Sequence, residues 1–205
     1  MSKQKVVLAS GNKGKLSELQ NALVDFDVEL IPQSEFSVSD ADETGLSFIE
    51  NAILKARHAS EATGLPALAD DSGLEVDALQ GAPGIYSARY STLEPIEISG
   101  TDKDNNNNHK LLRELKGVES DKRTARFHCV LAFVKHALDP NPIICQGAWE
   151  GRIQEVFDGN GGFGYDPLFF VESMQATAAQ LTKEQKNEIS HRGLAIKQLK
   201  TVFKL

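Results

Sequence analysis

Apolar residues recur along the chain with the spacings of both strands and helices. Residues 6–9 form a short apolar run of the kind that makes a buried strand. Residues 16–24 carry leucines at helical spacing, and residues 28–31 predict a second strand. The chain therefore opens with a strand, a loop, a helix and a strand.

A second helix is predicted between two local signals. Ser47 and Glu50 have the spacing of a capping box, in which each side chain bonds a backbone amide of the first turn. Gly64, followed by Pro66, is a typical helix end. Thr182 and Gln185 have the spacing of another capping box, and they predict helix from there to the C-terminus.

The second half of the chain contributes further strands. Residues 123–136 alternate apolar and polar side chains, as a half-buried strand does. Two more strands are predicted at 143–149 and 151–156, and a last one within 163–171. Because strands and helices interleave, the pattern predicts an α/β fold, with residues 1–205 as a single domain.

Composition excludes several classes of protein. The net charge of −7 argues against a polymer of nucleic acid as partner, because such proteins present basic surfaces. Apolar runs all fall short of the roughly 20 residues that span a bilayer, and the N-terminus does not have the features of a signal peptide. Cys129 and Cys145 lie in strand-like stretches, which favours two buried thiols over a disulfide. We expect a cytoplasmic protein without a membrane partner.

The loop after the first strand is a candidate anion site. It consists of Ser10, Gly11, Asn12, Lys13, Gly14 and Lys15. Amides at a helix N-terminus attract anions, glycines allow close approach, and two lysines add charge. The loop has neither the Walker spacing nor the GxGxxG pattern. An ordinary strand-to-helix turn with solvated lysines explains it equally well.

Three carboxylates could hold Mg²⁺, which prefers oxygen ligands. Asp70 and Asp71 are predicted to end a strand, and Glu43 lies just before the Ser47 cap. Adjacent side chains on a regular strand point to opposite faces. Either one aspartate enters a site, or the backbone turns and both do. The alternatives are a turn completed by Ser72-Gly73 and, for Glu43, compensation of the helix dipole.

Two segments near the C-terminus could contact a base. Residues 161–166 mix glycines with aromatic rings, as base stacking requires, although a tight turn would look the same. On one straight helix, Lys186 and His191 would diverge by about 140°. To aim these two and Arg192 at one ligand, the helix must break near Ser190, which would cap the final helix. The alternative is a solvated basic face.

Three polar features are left without an assigned function. The run Asn105–Asn108 is expected to be a solvated loop and helix start. Arg126 and His128 share one strand face, and they could line a cleft or pair with neighbouring strands.

Taken in order, these segments resemble the inosine triphosphatase family, the non-canonical purine nucleoside-triphosphate pyrophosphatases. The matching pieces are residues 8–12 with Lys15, 43–45, 50–52, 55–56, 69–74, 83–89, 161–167 and 190–193. The resemblance implies an elongated α/β fold of two lobes, with a long central mixed sheet flanked by helices and the active-site cleft between the lobes. It also implies a homodimer that uses Mg²⁺ to cleave ITP, dITP and XTP between the α- and β-phosphates.

The resemblance further implies roles for individual residues. Residues 10–15 and Lys55 would bind the triphosphate, Asp71 would be the general base beside the metal, and Ser72 would contact the substrate. Glu43 and Asp71 would ligate Mg²⁺, with Asp70 as a further ligand. The groups expected at the base and sugar are Phe163, Gly164, Tyr165, Asp166, Lys186, His191 and Arg192.

Two other functions compete with this one. A pyrophosphatase of the septum-formation-inhibitor-like kind would prefer modified pyrimidines, but the segments 163–166 and 190–192 argue against it. A nucleotide-binding module without turnover is the other alternative, and the carboxylates around Asp71 argue against that.

Overall fold

The computed structural model describes residues 3–24, 26–93 and 102–202. The strands are β1 Gln4–Ala9, β2 Val28–Pro32, β3 Ala67–Val76, β4 Thr124–Val134, β5 Ile143–Ile153, β6 Phe169–Val171 and β7 Ala176–Thr177. The α-helices are α1 Lys13–Ala22, α2 Phe48–Thr63, α3 Lys103–Glu114, α4 Lys183–Ile189 and α5 His191–Val202. These elements confirm the predicted α/β class.

The strands of the described residues join in one mixed sheet of seven, in the order β2-β1-β3-β4-β5-β6-β7. β1 pairs in parallel with both β2 and β3, so that Val7 lies between Ile31 and Ala67. β6 pairs antiparallel with β5 and β7. Crossover helices join the parallel strands, which is the usual way to connect them.

The described residues group into two compact units. The first takes in the residues up to Asp71, Cys129–Gly147 and those from Arg192 onward; the second takes in Ser72–His128 and Ala148–His191. Each unit has its own apolar core, with Leu8 and Leu131 in the first and Leu74 and Phe169 in the second. The single domain of residues 1–205 stays a prediction.

Both faces of the sheet are covered in the first unit. On one face, Val6 and Leu8 of β1 share a core with leucines of α1 and α5. On the other, Val7 and Ala9 pack with Ala52, Ala56 and Ala59 of α2. Side chains of β3 alternate in the same way, with Leu68 on the first face and Ala67 and Ala69 on the second.

Four predicted helix boundaries depend on local hydrogen bonds and backbone preferences, and the structure confirms them; α1, by contrast, begins at Lys13 rather than near Leu16. Ser47 accepts the amide of Glu50 at the start of α2, and Gly64 ends that helix in the left-handed region at φ 70°. Thr182 and Gln185 form the predicted capping box of α4. Ser190 is extended between α4 and α5, which confirms the predicted break.

Two strand predictions were wrong. β3 does not end at Asp70 and Asp71 but continues to Val76, because Leu74 and Val76 are buried in the core of the second unit. Residues 143–153 form one strand rather than two. Gly151, predicted to begin the second of them, continues β5 and allows close approach: a Cβ there would lie 2.5 Å from the carbonyl oxygen of Phe170.

The described helices are all too short or too polar to cross a membrane.

Candidate active site

Lys55 joins two carboxylates in the first unit. Its Nζ lies 2.5 Å from Oδ1 of Asp71 and 3.0 Å from Oε1 of Glu43. Lys55 comes from α2, Asp71 from β3, and Glu43 from the segment before α2. The side chains of Lys55 and Asp71 are mostly buried, so that solvent screens their attraction weakly. We call Lys55, Asp71 and Glu43 the lysine–carboxylate cluster.

Burial sets the basicity of this cluster. It raises the pKa of Asp71 above the ordinary value, and the nearby Lys55 ammonium offsets only part of that rise. Burial lowers the pKa of Lys55, but the carboxylates of Asp71, Glu43 and Asp70 together outweigh it, and the net pKa of Lys55 is raised. Lys55 is therefore charged at neutral pH, and Asp71 is a stronger base than an exposed carboxylate.

Asp70 has a different set of partners on the opposite face of β3. Its Oδ1 lies 2.7 Å from Nζ of Lys15, and its Oδ2 accepts from Nε of Arg192 at 2.7 Å. The thiol of Cys129 also donates to Oδ2, and Arg192 reaches Glu18 at 2.7 Å. These five residues are the Asp70 network. The backbone thus stays a regular strand instead of turning, and the side chains of Asp70 and Asp71 lie on opposite faces of β3 with different partners.

The charges of this network are strongly fixed. Burial raises the pKa of Asp70, but Arg192 and Lys15 outweigh it and hold that pKa well below the ordinary value. Burial, with Asp70 nearby, raises the pKa of the Cys129 thiol well above its usual range. Asp70 is therefore an anion and Cys129 a neutral thiol. Cys129 and Cys145 are both free and buried, as predicted.

The carboxylates Glu43, Asp70 and Asp71 are the candidate ligands for Mg²⁺. Among the residues that the structure describes, no group of three or more His, Cys, Asp or Glu side chains could hold a metal ion. Mg²⁺ does not need such a group, since it is commonly held by one or two carboxylates plus substrate phosphates and waters. Glu43 and Asp71, which already share one cationic group, fit that pattern. The structure does not bring Asp70 together with them.

The loop at residues 10–15 is organised by its own side chains. Oδ1 of Asn12 accepts from the amides of Gly14 at 2.9 Å and Lys15 at 3.1 Å, and thereby caps α1. Oγ of Ser10 accepts from the amide of Asn12 at 3.2 Å. The amide groups are thus partly engaged within the loop, which sequence reasoning missed although asparagine is a preferred N-cap. The side chain of Lys13 lies outside the described residues.

The second unit contains the glycine–aromatic loop, residues 161–166. Oδ2 of Asp166 accepts from the amide of Phe163 at 2.9 Å and from Nζ of Lys186 at 2.5 Å. The same ammonium lies 5.0 Å from the centre of the Phe163 ring. Tyr165 is buried in the core and donates its hydroxyl to the carbonyl of Ser87 at 2.8 Å. The structure therefore brings Phe163, Asp166 and Lys186 together and places the Tyr165 ring in the core.

His191 and Arg192 are adjacent but have different surroundings. The His191 ring stacks on Phe127, with the ring centres 4.8 Å apart, and lies 6.2 Å from Trp149. Arg192 belongs to the Asp70 network of the first unit. Side chains of consecutive helical residues point about 100° apart, so His191 and Arg192, at the start of α5, cannot point in the same direction. Lys186 and His191 belong to the second unit, and Arg192 belongs to the first.

Three other residues singled out in the sequence, Ser72, Arg126 and His128, are also among the described residues. Ser72 follows Asp71 on β3 and is half-buried. The Arg126 side chain forms hydrogen bonds with Asp77 and Glu150, and that of His128 with Glu75. Of the two expectations, pairing with neighbouring strands is therefore the one observed. Glu18 was missed, although it lies on α1 one turn beyond Lys15.

A sequence model of the Ham1 family matches residues 6–202. The chain belongs to the Ham1 family. This membership agrees with the resemblance carried by the sequence motifs, and it extends over almost the whole chain.

Relatives of this Ham1 chain cover it nearly from end to end. The dITP/XTP pyrophosphatase of Salmonella paratyphi A is 59% identical over 196 residues, which is 96% of each chain. The dITP/XTP pyrophosphatase of Escherichia coli K12 is 57% identical over the same length and shares of both chains.

Solved structures confirm the fold. A HAM1 protein from Coxiella burnetii is 51% identical, with a TM-score of 0.87 over 97% of this chain and 98% of that one. A nucleoside-triphosphatase, or dITP/XTP pyrophosphatase, from Mycobacterium abscessus is 37% identical, with a TM-score of 0.75 over 98% of this chain and 100% of that one.

Proposed function

We propose that this Ham1 protein hydrolyses non-canonical purine nucleoside triphosphates, namely ITP, dITP and XTP, to the monophosphate and pyrophosphate. The dITP/XTP pyrophosphatases that are 57–59% identical to it support the reaction class. The observation that carries the proposal is the lysine–carboxylate cluster. It combines a carboxylate of raised pKa on β3, a cation on α2, and a second carboxylate on the segment just before α2.

Hydrolysis of a phosphoanhydride needs neutralised charge and an oriented water more than covalent chemistry. Asp71 takes a proton from the attacking water, for which its raised pKa suits it. Lys55 holds the Asp71 carboxylate in place, and Lys15 adds positive charge at the start of α1. Mg²⁺, held by Glu43 and Asp71, would offset negative charge on the phosphate oxygens.

Residues of the second unit serve the base in this proposal. Phe163 offers a ring for stacking, and Lys186 fixes Asp166 beside it. Hypoxanthine and xanthine carry a keto acceptor at position 6, where adenine carries an amino donor. A protein donor at that position, from His191, Arg192 or a backbone amide, would be left unpaired by adenine. An unpaired buried donor costs about 1–3 kcal/mol, or roughly 10- to 100-fold in selectivity.

The function is tested with a panel of triphosphates. Pyrophosphate release is measured for ITP, dITP, XTP, GTP, ATP and modified pyrimidine triphosphates, each with Mg²⁺ and with a chelator. The proposal expects Mg²⁺-dependent release from the first three. Formation of IDP and phosphate from ITP would contradict the cleavage position. A preference for modified pyrimidines, or binding without turnover, would support one of the competing functions.

The homodimer is supported by the family resemblance, and the cytoplasmic location by the cysteine content and the N-terminal sequence. Sedimentation equilibrium tests the first of these, and the mass of a single chain at micromolar concentration would contradict it.

A further inference from the structure

Helix α3 holds one residue of the glycine–aromatic loop by both of its backbone polar groups. Oδ2 of Asp104 accepts from the amide of Gly164 at 2.7 Å. Nδ2 of Asn108 donates to the carbonyl of Gly164 at 2.8 Å. Asp104 and Asn108 are four residues apart, and such positions lie one above the other on a helix surface. A single face of α3 therefore grips the peptide groups on both sides of Gly164.

The gripped residue has a conformation that other residues adopt with strain. Gly164 has φ of 62°, in the left-handed region that favours glycine. It lies between Phe163, whose amide is bonded to Asp166, and the buried Tyr165. With Gly164 fixed on one side and Asp166 on the other, the backbone that carries the Phe163 ring has little freedom to turn.

The Asn105–Asn108 run is not solvated throughout, which corrects the sequence expectation. Asn107 and Asn108 are each 2% exposed. Asn107 accepts the amide of Ser91 at 2.8 Å and donates to the carbonyl of Ser87 at 3.2 Å. Asn108 also donates to the carbonyl of Asp104 at 2.9 Å. Asn107 thus bonds backbone groups through both ends of its amide, whereas Asn108 does so through Nδ2 alone, and among the described residues its buried Oδ1 has no hydrogen-bond partner.

We propose that Asp104 and Asn108 are positioning residues that set the glycine–aromatic loop for base binding. They act through Gly164 and need not touch the substrate. The inference rests on the proposed function, since it assigns the loop to the base. Loss of either hydrogen bond frees the Gly164 peptide and, with it, the direction of the Phe163 ring. Affinity for the nucleoside then falls while the lysine–carboxylate cluster is unaltered.

The kinetic test compares four variants. Asn108→Ala and Asp104→Ala each remove one hydrogen bond to Gly164. Asp104→Asn keeps an acceptor oxygen for the Gly164 amide. Asn105→Ala, at an exposed position of the same run, is the control. With dITP we expect each alanine variant at 104 and 108 to raise KM about 3- to 10-fold, with a smaller effect on kcat. Asp104→Asn should restore most of the affinity, and Asn105→Ala should match the wild type.

Inorganic tripolyphosphate, used as a competitive inhibitor, separates positioning from general damage. It has no base, so its inhibition constant should stay constant in the variants whose KM for dITP rises. A KM that does not rise in either alanine variant would overturn the proposal. So would an inhibition constant for tripolyphosphate that rises by the same factor as KM.

Hydrogen exchange gives a readout that does not need turnover. Asp104→Ala removes the acceptor of the Gly164 amide, and exchange in a peptide covering residues 159–168 should accelerate relative to Asn105→Ala. An unchanged exchange rate in Asp104→Ala would show that Asp104 does not hold the Gly164 amide. Failure of the proposed function is recognised separately, because the wild type would then release no pyrophosphate from ITP, dITP or XTP while exchange still reports on Gly164.

Discussion

The ammonium of Lys55 lies 2.5 Å from Oδ1 of Asp71, and the same nitrogen reaches Glu43 at 3.0 Å. The single positive charge of Lys55 thus lies between the negative charges of Asp71 and Glu43, and the side chains of Lys55 and Asp71 are mostly buried. Burial makes Asp71 harder to ionise, and Lys55 is the largest influence in the other direction. The basicity of Asp71 and the closeness of the two carboxylates both depend on Lys55.

Replacing Lys55 should change the titration of Asp71. In metal-free buffer, Lys55→Met should raise the pKa of Asp71 further, because the charge that favours the carboxylate is gone. Carbon-13 NMR of the side-chain carboxyl measures this pKa directly. Lys55→Arg keeps the charge and serves as the control. A lower Asp71 pKa in Lys55→Met would contradict this account of the cluster.

Removing the base should abolish most turnover. Asp71→Asn keeps the shape of the side chain but cannot take a proton from water, and kcat should fall about 10²- to 10⁴-fold. Pyrophosphate release from ITP at saturating Mg²⁺ is the measurement. Asp27→Asn, at an exposed position of the same unit, controls for the loss of one negative charge. Retained turnover in Asp71→Asn would remove Asp71 from the role of base.

The Asp70 network should matter for stability. Asp70→Asn leaves Arg192 and Lys15 without their shared buried anion, and it should lower the free energy of unfolding by about 3–5 kcal/mol at neutral pH. Urea titrations of the wild type and of Asp70→Asn, both without Mg²⁺, measure the difference. A difference below about 1 kcal/mol, as exposed ion pairs give, would contradict the buried network.

The same pair of proteins should differ in pH dependence. The pKa of Asp70 is depressed on folding, so its contribution is fully present above the unfolded value of 3.8 and is lost as pH falls through the folded pKa. The gap between wild type and Asp70→Asn should thus be constant from neutral pH down to the unfolded pKa and narrow below it. If the difference in free energy of unfolding between the two proteins already shrinks between neutral pH and pH 3.8, Asp70 is not held as an anion in the folded protein.

Gly45 offers a test of how Glu43 is placed. A Cβ at position 45 would lie 2.6 Å from Cβ of Glu50 and 2.7 Å from Oδ1 of Asn51, which accepts the Gly45 amide. Gly45→Ala should displace the segment that carries Glu43 and raise the Mg²⁺ concentration for half-maximal activity several-fold. Thr44→Ala, at the exposed neighbouring position, is the control. An unchanged Mg²⁺ requirement in Gly45→Ala would show that the Glu43 position does not depend on this packing.

The asparagine cap of α1 separates stability from binding. Asn12→Asp keeps the acceptor for the amides of Gly14 and Lys15, so the melting temperature should be preserved. The added negative charge should repel a triphosphate and raise KM about tenfold at low ionic strength. Asn21→Asp, on an exposed part of the same helix, should leave KM unchanged. Equal KM in Asn12→Asp and wild type would argue against phosphate binding at this loop.

Features that depend on neighbouring residues could be predicted from the chain alone. The caps at Ser47 and Thr182, the end at Gly64 and the break at Ser190 were all found in the sequence. Each is made by hydrogen bonds or backbone preferences within about four residues, so no knowledge of the fold is required. The motif order was also enough to indicate the Ham1-type function and the candidate residues.

Partners that lie far apart along the chain could not be predicted in this way. The alternation of β3 already separates Asp70 from Asp71, but it does not tell which helix covers which face. Packing decides that α2 brings Lys55 to Asp71, whereas α1 and α5 bring Lys15 and Arg192 to Asp70.

The sequence by itself thus determined the α/β class, the helix boundaries that local hydrogen bonds fix, and the residues capable of the chemistry, but not the extents of β3 and β5. Tertiary structure decided which charge meets which, as with Arg192 and Glu18, which are 174 residues apart. It also decided that Asn108 is buried against Gly164 rather than solvated. The physical reason is that helix and strand propensities act over a few residues, while ion pairing and burial depend on the packing of the whole chain.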